Sequence, residues 1–496
     1  MLSVEFNEFF AKIFKIGEQS FRFIDHVMLD FKGCKHKTYL PCLTMHYSKH
    51  RVRGKVTSKS VLVVGGGIAG IQASLDLANR GTKVYLVEKT PSIGGRMAQL
   101  DKTFPTLDCS ICILAPKMIE CLRHPNINLL TYSEVQHVEG EAGNFNVEIL
   151  RKPRYVEPSK CTGCGTCMTK CPAKVPNEFD MGIGNRKAIY MPFKQAVPLV
   201  ATIDAEHCLY FSKKICGVCS KICPSNAVNY EQKPEVMSLN VASIILATGF
   251  DIFDPSGLGE YGYRRFKNVV NSMEFERIIC ASGPTEGHLV RPSDGKEPKS
   301  IVFIQCVGSR NLHGKFPFCS TVCCVYATKE SILVKEHSPQ TQAYIMYIDM
   351  RAVGKGFQEF VDRARDEYNV QFIKAHPGSI TEDPATNNLQ ISYEDTKTGE
   401  MKRLNVDMAV LCPALIPKAE NKRLAEETGA ELDEAGFFKA KDPLTAPLDT
   451  TSPGIYACGY CQSPKDIPES VAQASGAAAR AAEIIELTAK RESIEQ

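Results

Sequence analysis

Apolar positions along this chain switch between long uninterrupted runs and helical spacing, and the switches outline its elements. Val61 to Val64 is an unbroken apolar run into Gly65, the pattern of a strand buried on both faces. Ala73, Leu75 and Leu77 predict a helix from about Ile68 to Asn79, and Lys83 to Glu88 a second strand. The order recurs in the middle of the chain. A strand starts at Lys299, another covers Ala343 to Met350, a helix lies around Gly356 to Glu367, and a strand follows from Val370 to Ile373. Ala242 to Leu246 and Gly454 to Ala457 read as further strands that end in glycine turns, and the Ala-rich 470–490 as a helix. Phe6, Phe9, Phe10, Ile13, Phe14 and Ile16 recur at roughly helical spacing, so 4–31 reads as one amphipathic helix or two short ones, followed by a basic tract over 32–59. Strand–helix–strand repetition of this kind predicts an α/β protein built on parallel sheets.

One stretch, 158–224, shows neither period and carries cysteines instead. Cys161, Cys164, Cys167 and Cys171 precede Pro172 in C-x2-C-x2-C-x3-C-P spacing, the run of a bacterial-type ferredoxin. Cys208, Cys216, Cys219 and Cys223 precede Pro224 with the first gap stretched to seven residues. In two-cluster ferredoxins the last Cys of each run ligates the other cluster. That rule assigns Cys161, Cys164, Cys167 and Cys223 to one 4Fe–4S cluster and Cys208, Cys216, Cys219 and Cys171 to the other. Two structural zincs are the competing reading of paired C-x2-C runs, and the four-Cys run ending in Cys-Pro favours iron–sulfur clusters.

Composition changes the picture only by exclusion. A hydrophobic fraction of 44% with 23% charged residues is that of an ordinary globular chain, and a net charge of +3 gives no case for nucleic acid or a membrane surface. The 21 Cys fall largely into ligand-spaced groups, which points to metal in a reducing compartment and not to a secreted disulfide scaffold. With no signal-peptide pattern and no membrane-length apolar stretch, a cytoplasmic location is expected.

The turn after the first strand is Gly65-Gly-Gly67-Ile-Ala-Gly70, with Glu88 ending the second strand about 20 residues on. Strand, glycine turn, helix, strand and terminal acid make up the dinucleotide fingerprint. Gly65 makes the tight turn, Gly67 admits a pyrophosphate, Gly70 lets helix and strand pack, and Glu88 can accept from ribose hydroxyls. Gly94-Gly95-Arg96 resembles the continuation seen in FAD-dependent enzymes with two dinucleotide folds, and Ala247-Thr248-Gly249 the strand and turn of the same superfamily. Gly459, followed by Lys465 and Asp466, falls where that superfamily holds the ribityl chain and ring, although Gly459-Tyr460-Cys461 replaces the usual Gly-Asp. The middle strand leads instead into Cys306-Val-Gly308-Ser-Arg310, so its first fingerprint glycine is a cysteine and the third is absent, which argues against NAD(P)H there.

Two more cysteine groups stand apart. Cys306 with Cys319, Cys323 and Cys324 reads as a third 4Fe–4S site, with a disulfide or chance clustering as alternatives. Cys109 and Cys112 read as cluster ligands or electron-path residues ahead of a redox dithiol. Cys121, Cys280 and Cys412 read as core thiols.

With these residues in view, the chain resembles the flavin-bearing A subunit of heterodisulfide reductase over about 58–490. The resemblance rests on Gly65 to Gly70, Phe104 to Met118, the ferredoxin insert, Gln305 to Arg310 with Cys319, Cys323 and Cys324, Asp349 to Lys355, and Pro464 to Pro468. It implies two dinucleotide-binding-type, thioredoxin-reductase-like domains with an inserted α+β ferredoxin domain. It also implies one FAD, Lys465 against the flavin ring as the catalytic group, and Cys306, Cys319, Cys323 and Cys324 on one cluster. The implied function is flavin-based electron bifurcation from a hydrogenase- or formate-dehydrogenase-type donor to ferredoxin and a disulfide acceptor. The B and C subunits of such a complex are the implied partners, with a homodimer inside a larger assembly. The expected domains are an extension (1–58), a FAD domain in three pieces (59–155, 231–297 and 406–496), the insert (156–230) and a degenerate pyridine-nucleotide-type domain (298–405). The extra N-terminal domain and C-terminal ferredoxin that family members often carry are not expected. A simple relay like that of quinone-interacting oxidoreductases, a disulfide oxidoreductase using Cys109 and Cys112, and a non-catalytic scaffold are the rival expectations.

Overall fold

Val61, Leu62 and Val63 are fully buried because parallel strands flank them on both sides, Lys83–Glu88 on one and Ser243–Leu246 on the other. The computed structural model describes residues 58–494, apart from His313 and Lys397; the helix expected in 4–31 and the basic tract up to 57 lie outside the described residues. Ile127–Thr131 and Ile455–Ala457 extend this sheet in parallel, and Ala446–Thr450 with Ala440–Asp442 closes one edge antiparallel, giving seven strands. The helix Ile68–Asn79 and the C-terminal helix Ile467–Ile494 meet over this sheet, with Ile71, Ala73 and Leu77 packed in one core with Ala474, Ala477 and Ala481.

A second sheet has five parallel strands in the order Val269–Asn271, Met408–Pro413, Ser300–Val307, Gln342–Tyr347, Gln371–Lys374. It reaches past both ends of the 298–405 segment expected for this domain. Val269–Asn271 is too short to display a period, and only its pairing with Met408–Pro413 makes it a strand. Asn271 then caps the helix Ser272–Ile279 through a capping box with Glu274. The antiparallel pair Phe250–Ile252 and Leu415–Pro417 carries the chain between the two lobes. A buried ion pair of the second lobe, Lys329 with Glu276, grips the first: Glu276 accepts from the Asp101 N–H (2.9 Å) and Lys329 donates to the Lys102 carbonyl (3.1 Å).

The insert leaves and returns through paired strands, Asn144–Arg151 and Glu235–Val241, with Arg151 directly opposite Glu235. A chain that enters and exits at adjacent points disturbs its host little, which is why an insertion is tolerated here. Its apolar core is small: Val156, Ile189, Val200, Ala201, Ile203 and Ala227, with cysteines packed around them. A core of this size does not hold a domain by itself, so a bound metal group is the expected staple. Arg277, almost wholly buried, ties the insert down by donating to Asp180 (3.0 Å) and to the Gln99 carbonyl (3.0 Å), with its guanidinium over the Phe179 ring.

Candidate functional site

Motifs far apart in sequence meet at the first glycine turn. Gly65 has φ of +111°, and a Cβ there would lie 2.3 Å from the Ala247 carbonyl oxygen, beside Thr248. A Cβ on Gly70 would lie 1.8 Å from the Gly65 oxygen, so helix and strand pack closer than any side chain permits. Gly95 abuts the Gly67 Cα, and Gly459, at φ of +74°, abuts the Ala69 Cβ. Gly67 differs from its neighbours: a Cβ there would meet nothing within 4 Å. No side chain caps the helix it starts, so the first N–H groups are left without a side-chain acceptor, the setting that takes a phosphate. Glu88 is held at the loop by the N–H groups of Gly66 (2.7 Å) and Thr90 (2.8 Å). The residues present therefore fit a dinucleotide, whose pyrophosphate Gly67 would admit and whose ribose Glu88 would face.

At the other end of the cradle, Lys465 donates toward the carbonyl of Gly459 (3.0 Å), the carbonyl of Ser463 (2.6 Å) and Gln462 Oε1 (3.1 Å). Burial lowers its pKa to about 8, against the opposing pull of Cys461 and Glu469. Asp466 caps the C-terminal helix, its Oδ1 accepting from the Glu469 N–H (2.8 Å). The Thr248 hydroxyl donates to Asn421 Oδ1 (2.8 Å), so its side chain braces the cradle. Arg96 donates to Gln99 Oε1 (3.1 Å) and approaches Met181 Sδ (3.7 Å), while Gln99 Nε2 donates to the Phe179 carbonyl (2.8 Å). The glycine–arginine turn thus touches the insert.

In the insert, Cys161, Cys164, Cys167 and Cys223 line one pocket. Cys208, Cys216, Cys219 and Cys171 line another. The closing Cys of each run has crossed to the other run. Gly165 (φ +75°) and Gly217 (φ +107°) start the short helices that present Cys167 and Cys219. The Ala227 N–H donates to Cys223 Sγ (3.3 Å), and the Tyr230 hydroxyl lies 3.0 Å from Cys219 Sγ. Burial, then the nearby thiols of Cys161 and Cys219, push Cys167 up to about 12. Four thiolates crowded round a void need several positive charges to ionise, and a cluster supplies them. Among the described residues no three Cys, His, Asp or Glu side chains converge as they would on a single ion. The sulfurs line a void, a geometry that suits a cubane better than zinc.

The third cysteine set gathers at the end of the strand Ser300–Val307 and the start of the helix Cys323–His337. Cys306 sits at φ of +61°, where the strand slips register between Ile304 and Val307. Arg310, paired with Asp349, approaches Cys306 Sγ at 3.9 Å. The Thr321 N–H donates to Cys319 Sγ and the Arg351 N–H to Cys324 Sγ, both at 3.4 Å. Donation from Cys323, working against burial, lowers the Cys324 thiol to about 7. All four are free thiols, unlike the disulfide alternative, and the N–H···S donors at Cys319 and Cys324 fit a cluster. Cys412, read as a core thiol, is buried within electrostatic reach of Cys306 and Cys324. At the degenerate turn, a Cβ on Gly308 would lie 2.4 Å from the Phe253 ring, so an aromatic side chain fills the side that stays open at Gly67.

Cys109 and Cys112, read first as cluster ligands or electron-path residues, are joined as a disulfide, with Cα atoms 5.3 Å apart. Cys109 is the N-cap of the helix Ser110–Arg123, and one helical turn brings Cys112 within bridging reach.

Residues 60–106 match the model for FAD dependent oxidoreductase, and residues 154–176 that for a 4Fe-4S binding domain. The iron-sulfur A subunit of the CoB–CoM heterodisulfide reductase of Methanocaldococcus jannaschii is 54% identical over 420 residues, 85% of this chain and 63% of the relative. The A subunit of the H2/formate:CoB–CoM heterodisulfide,ferredoxin reductase of Methanococcus maripaludis is 51% identical over 424 residues, 86% of this chain and 64% of the relative. Over these residues the chain belongs to the family of heterodisulfide reductase A subunits. It spans under two thirds of the length of those relatives. Among solved structures, thioredoxin reductase of T. acidophilum has a TM-score of 0.49 at 15% identity, covering 86% of this chain and 97% of that one.

FAD and 4Fe–4S clusters are accordingly the cofactors of this heterodisulfide reductase family member, and its residues fit both. No helix among the described residues is long and apolar enough to cross a membrane. Sequence reasoning missed three contributors to the site of this reductase family member: Tyr460, which joins the cradle to the Cys319 loop, Arg277, which fixes the insert, and Phe253 at the degenerate turn. The one available signal was Tyr460 itself, standing where an acid is usual.

Proposed function

We propose that this protein sorts electrons in a heterodisulfide-reductase-type complex, taking pairs from a donor and dividing them between ferredoxin and a disulfide. One observation carries the reading. The cradle touches cysteine-bearing segments on two sides, the insert through Arg96 and Gln99, and the Cys319 loop through Tyr460. A branch point needs that arrangement. Bound FAD supplies the conversion between two-electron and one-electron transfer. Gly67 and the helix N-terminus hold its phosphates. Lys465, lowered to about 8, can take up or give back a proton at the Gly459 turn near neutral pH. The aromatic side chains of Tyr460 and Phe437 are buried in one cluster against Phe318 and Val322, which keeps water from the contact with the Cys319 loop. The B and C subunits, ferredoxin and a hydrogenase- or formate-dehydrogenase-type donor are the proposed partners, with a homodimer in a cytoplasmic complex; relatives named for H2, formate and ferredoxin support the choice of donor and of ferredoxin.

The test is electron accounting in the purified complex. With an H2- or formate-linked donor, ferredoxin and the disulfide should be reduced in equal electron amounts, and neither without the other. Delivery of every pair to one acceptor would leave a plain relay.

A further inference from the structure

We propose that Cys109 and Cys112 form a thiol–disulfide exchange centre, open to a partner thiol or disulfide and separate from the three cluster sets. The proposal goes beyond electron sorting and needs no bound cofactor.

The two sulfurs are unequal. Cys112 is exposed while Cys109 is half-buried as the N-cap residue, with Sγ accepting the Cys112 N–H at 3.3 Å. The first turn of this helix holds no acid, and the adjoining Asp108 accepts from the Thr106 hydroxyl (2.5 Å). A thiolate formed on Cys109 therefore meets a backbone donor and the positive end of a 14-residue helix, which makes it the better leaving group. The pair stands on a fixed support. The Ser110 hydroxyl donates to the Met97 carbonyl (2.7 Å), and Ile111, Leu114 and Met118 pack into the core of the flavin lobe. Cys121 on this helix shows the opposite case: wholly buried, it is pushed up to about 12 by that burial and stays inert.

In the exchange a partner thiolate attacks Cys112 Sγ. A bond forms between the partner sulfur and Cys112, the Cys109–Cys112 bond breaks, and its electron pair leaves on Cys109. A second partner thiolate attacks the partner sulfur of the mixed disulfide and releases Cys112. One protein disulfide and two thiols give a protein dithiol and one disulfide, with two electrons and two protons passed to the protein. A disulfide partner drives the reverse.

The experiment equilibrates anaerobic holoprotein with a graded glutathione redox buffer, then quenches, alkylates and weighs the tryptic peptide Thr103–Lys117, which contains Cys109 and Cys112 and no other cysteine. The pair should titrate as one two-electron couple in the folded protein. When the oxidised wild-type protein is mixed with reduced glutathione and quenched early, the adduct should sit on Cys112 at least ~10-fold more often than on Cys109, since access and leaving-group position favour attack at that sulfur. Cys109→Ser and Cys112→Ser should keep wild-type iron and flavin. A pair that stays oxidised across the buffer range and opens only on unfolding would make it a structural bridge and overturn the proposal. Equal occupancy of the two sulfurs overturns it too, as does loss of iron in either serine variant, which would make the pair cluster ligands.

Discussion

The Tyr460 hydroxyl lies 3.2 Å from the Ser320 carbonyl oxygen and 3.3 Å from that of Leu415, joining the flavin cradle to the loop that carries Cys319. Ser320 reciprocates in the same corner, its hydroxyl accepting the Leu415 N–H at 3.0 Å. Tyr460→Phe keeps the ring and leaves two buried carbonyls without that donor. A loss of about 1–2 kcal/mol in urea unfolding is expected. A chelator should also take iron from the third cysteine set faster than in wild type; an unchanged rate would show that the link does not brace that set.

Gly65 and Gly67 should part company under the same substitution. Gly65→Ala places a Cβ 2.3 Å from a backbone oxygen at φ of +111°, so a large drop in thermal midpoint is expected. Gly67→Ala puts its methyl in open space, so the flavin-free chain should keep its midpoint while FAD binds about tenfold or more weakly. Normal FAD affinity in Gly67→Ala would remove the pyrophosphate from this turn.

Cavity membership gives a direct test of crossed ligation. Cys223→Ser should remove the same spectroscopic signal as Cys161→Ser, and Cys171→Ser the same as Cys208→Ser. Each variant should lose about four irons of roughly twelve, if three clusters are present. Grouping of Cys223 with Cys208 instead would refute the assignment.

Lys465 gives the flavin-free chain a pH signature. Burial lowers its folded pKa to about 8, below the ordinary lysine value, so the unfolded chain holds more protons between the two. That group's contribution makes stability rise as pH climbs from about 8 toward the ordinary lysine range. The charged form costs stability below that window. Lys465→Met should flatten the rise in a pH series of denaturant midpoints, and an identical slope in both proteins would mean that Lys465 titrates normally.

Much of the site could be read from the residues alone. Short-range spacing fixed the first glycine turn, the helix Ile68–Asn79 and the strand Lys83–Glu88, because those elements are set by contiguous residues. The crossed cysteine sets followed from spacing too. What escaped were features made by contacts between distant segments. Val269–Asn271 is a strand only through its neighbour, and Cys412 lies beside Cys306 only because two parallel strands are adjacent. The C-x2-C pair at Cys109 and Cys112 looked like ligands, since ligand spacing and disulfide reach coincide at one helical turn.

The sequence by itself determined the chemistry available: thiolates at cluster spacing, a glycine turn able to admit phosphate, and a lysine beside a turn that lacks the usual acid. Tertiary structure decided how these are connected. It set Tyr460 against Ser320, Arg96 against Met181 and Arg277 against Asp180, and it left Gly67 open while Phe253 closed the matching turn in the second lobe. The reason is physical: local dihedral preference and periodicity act over a few residues, whereas burial and hydrogen bonding across a fold depend on which segments the packed sheets bring together.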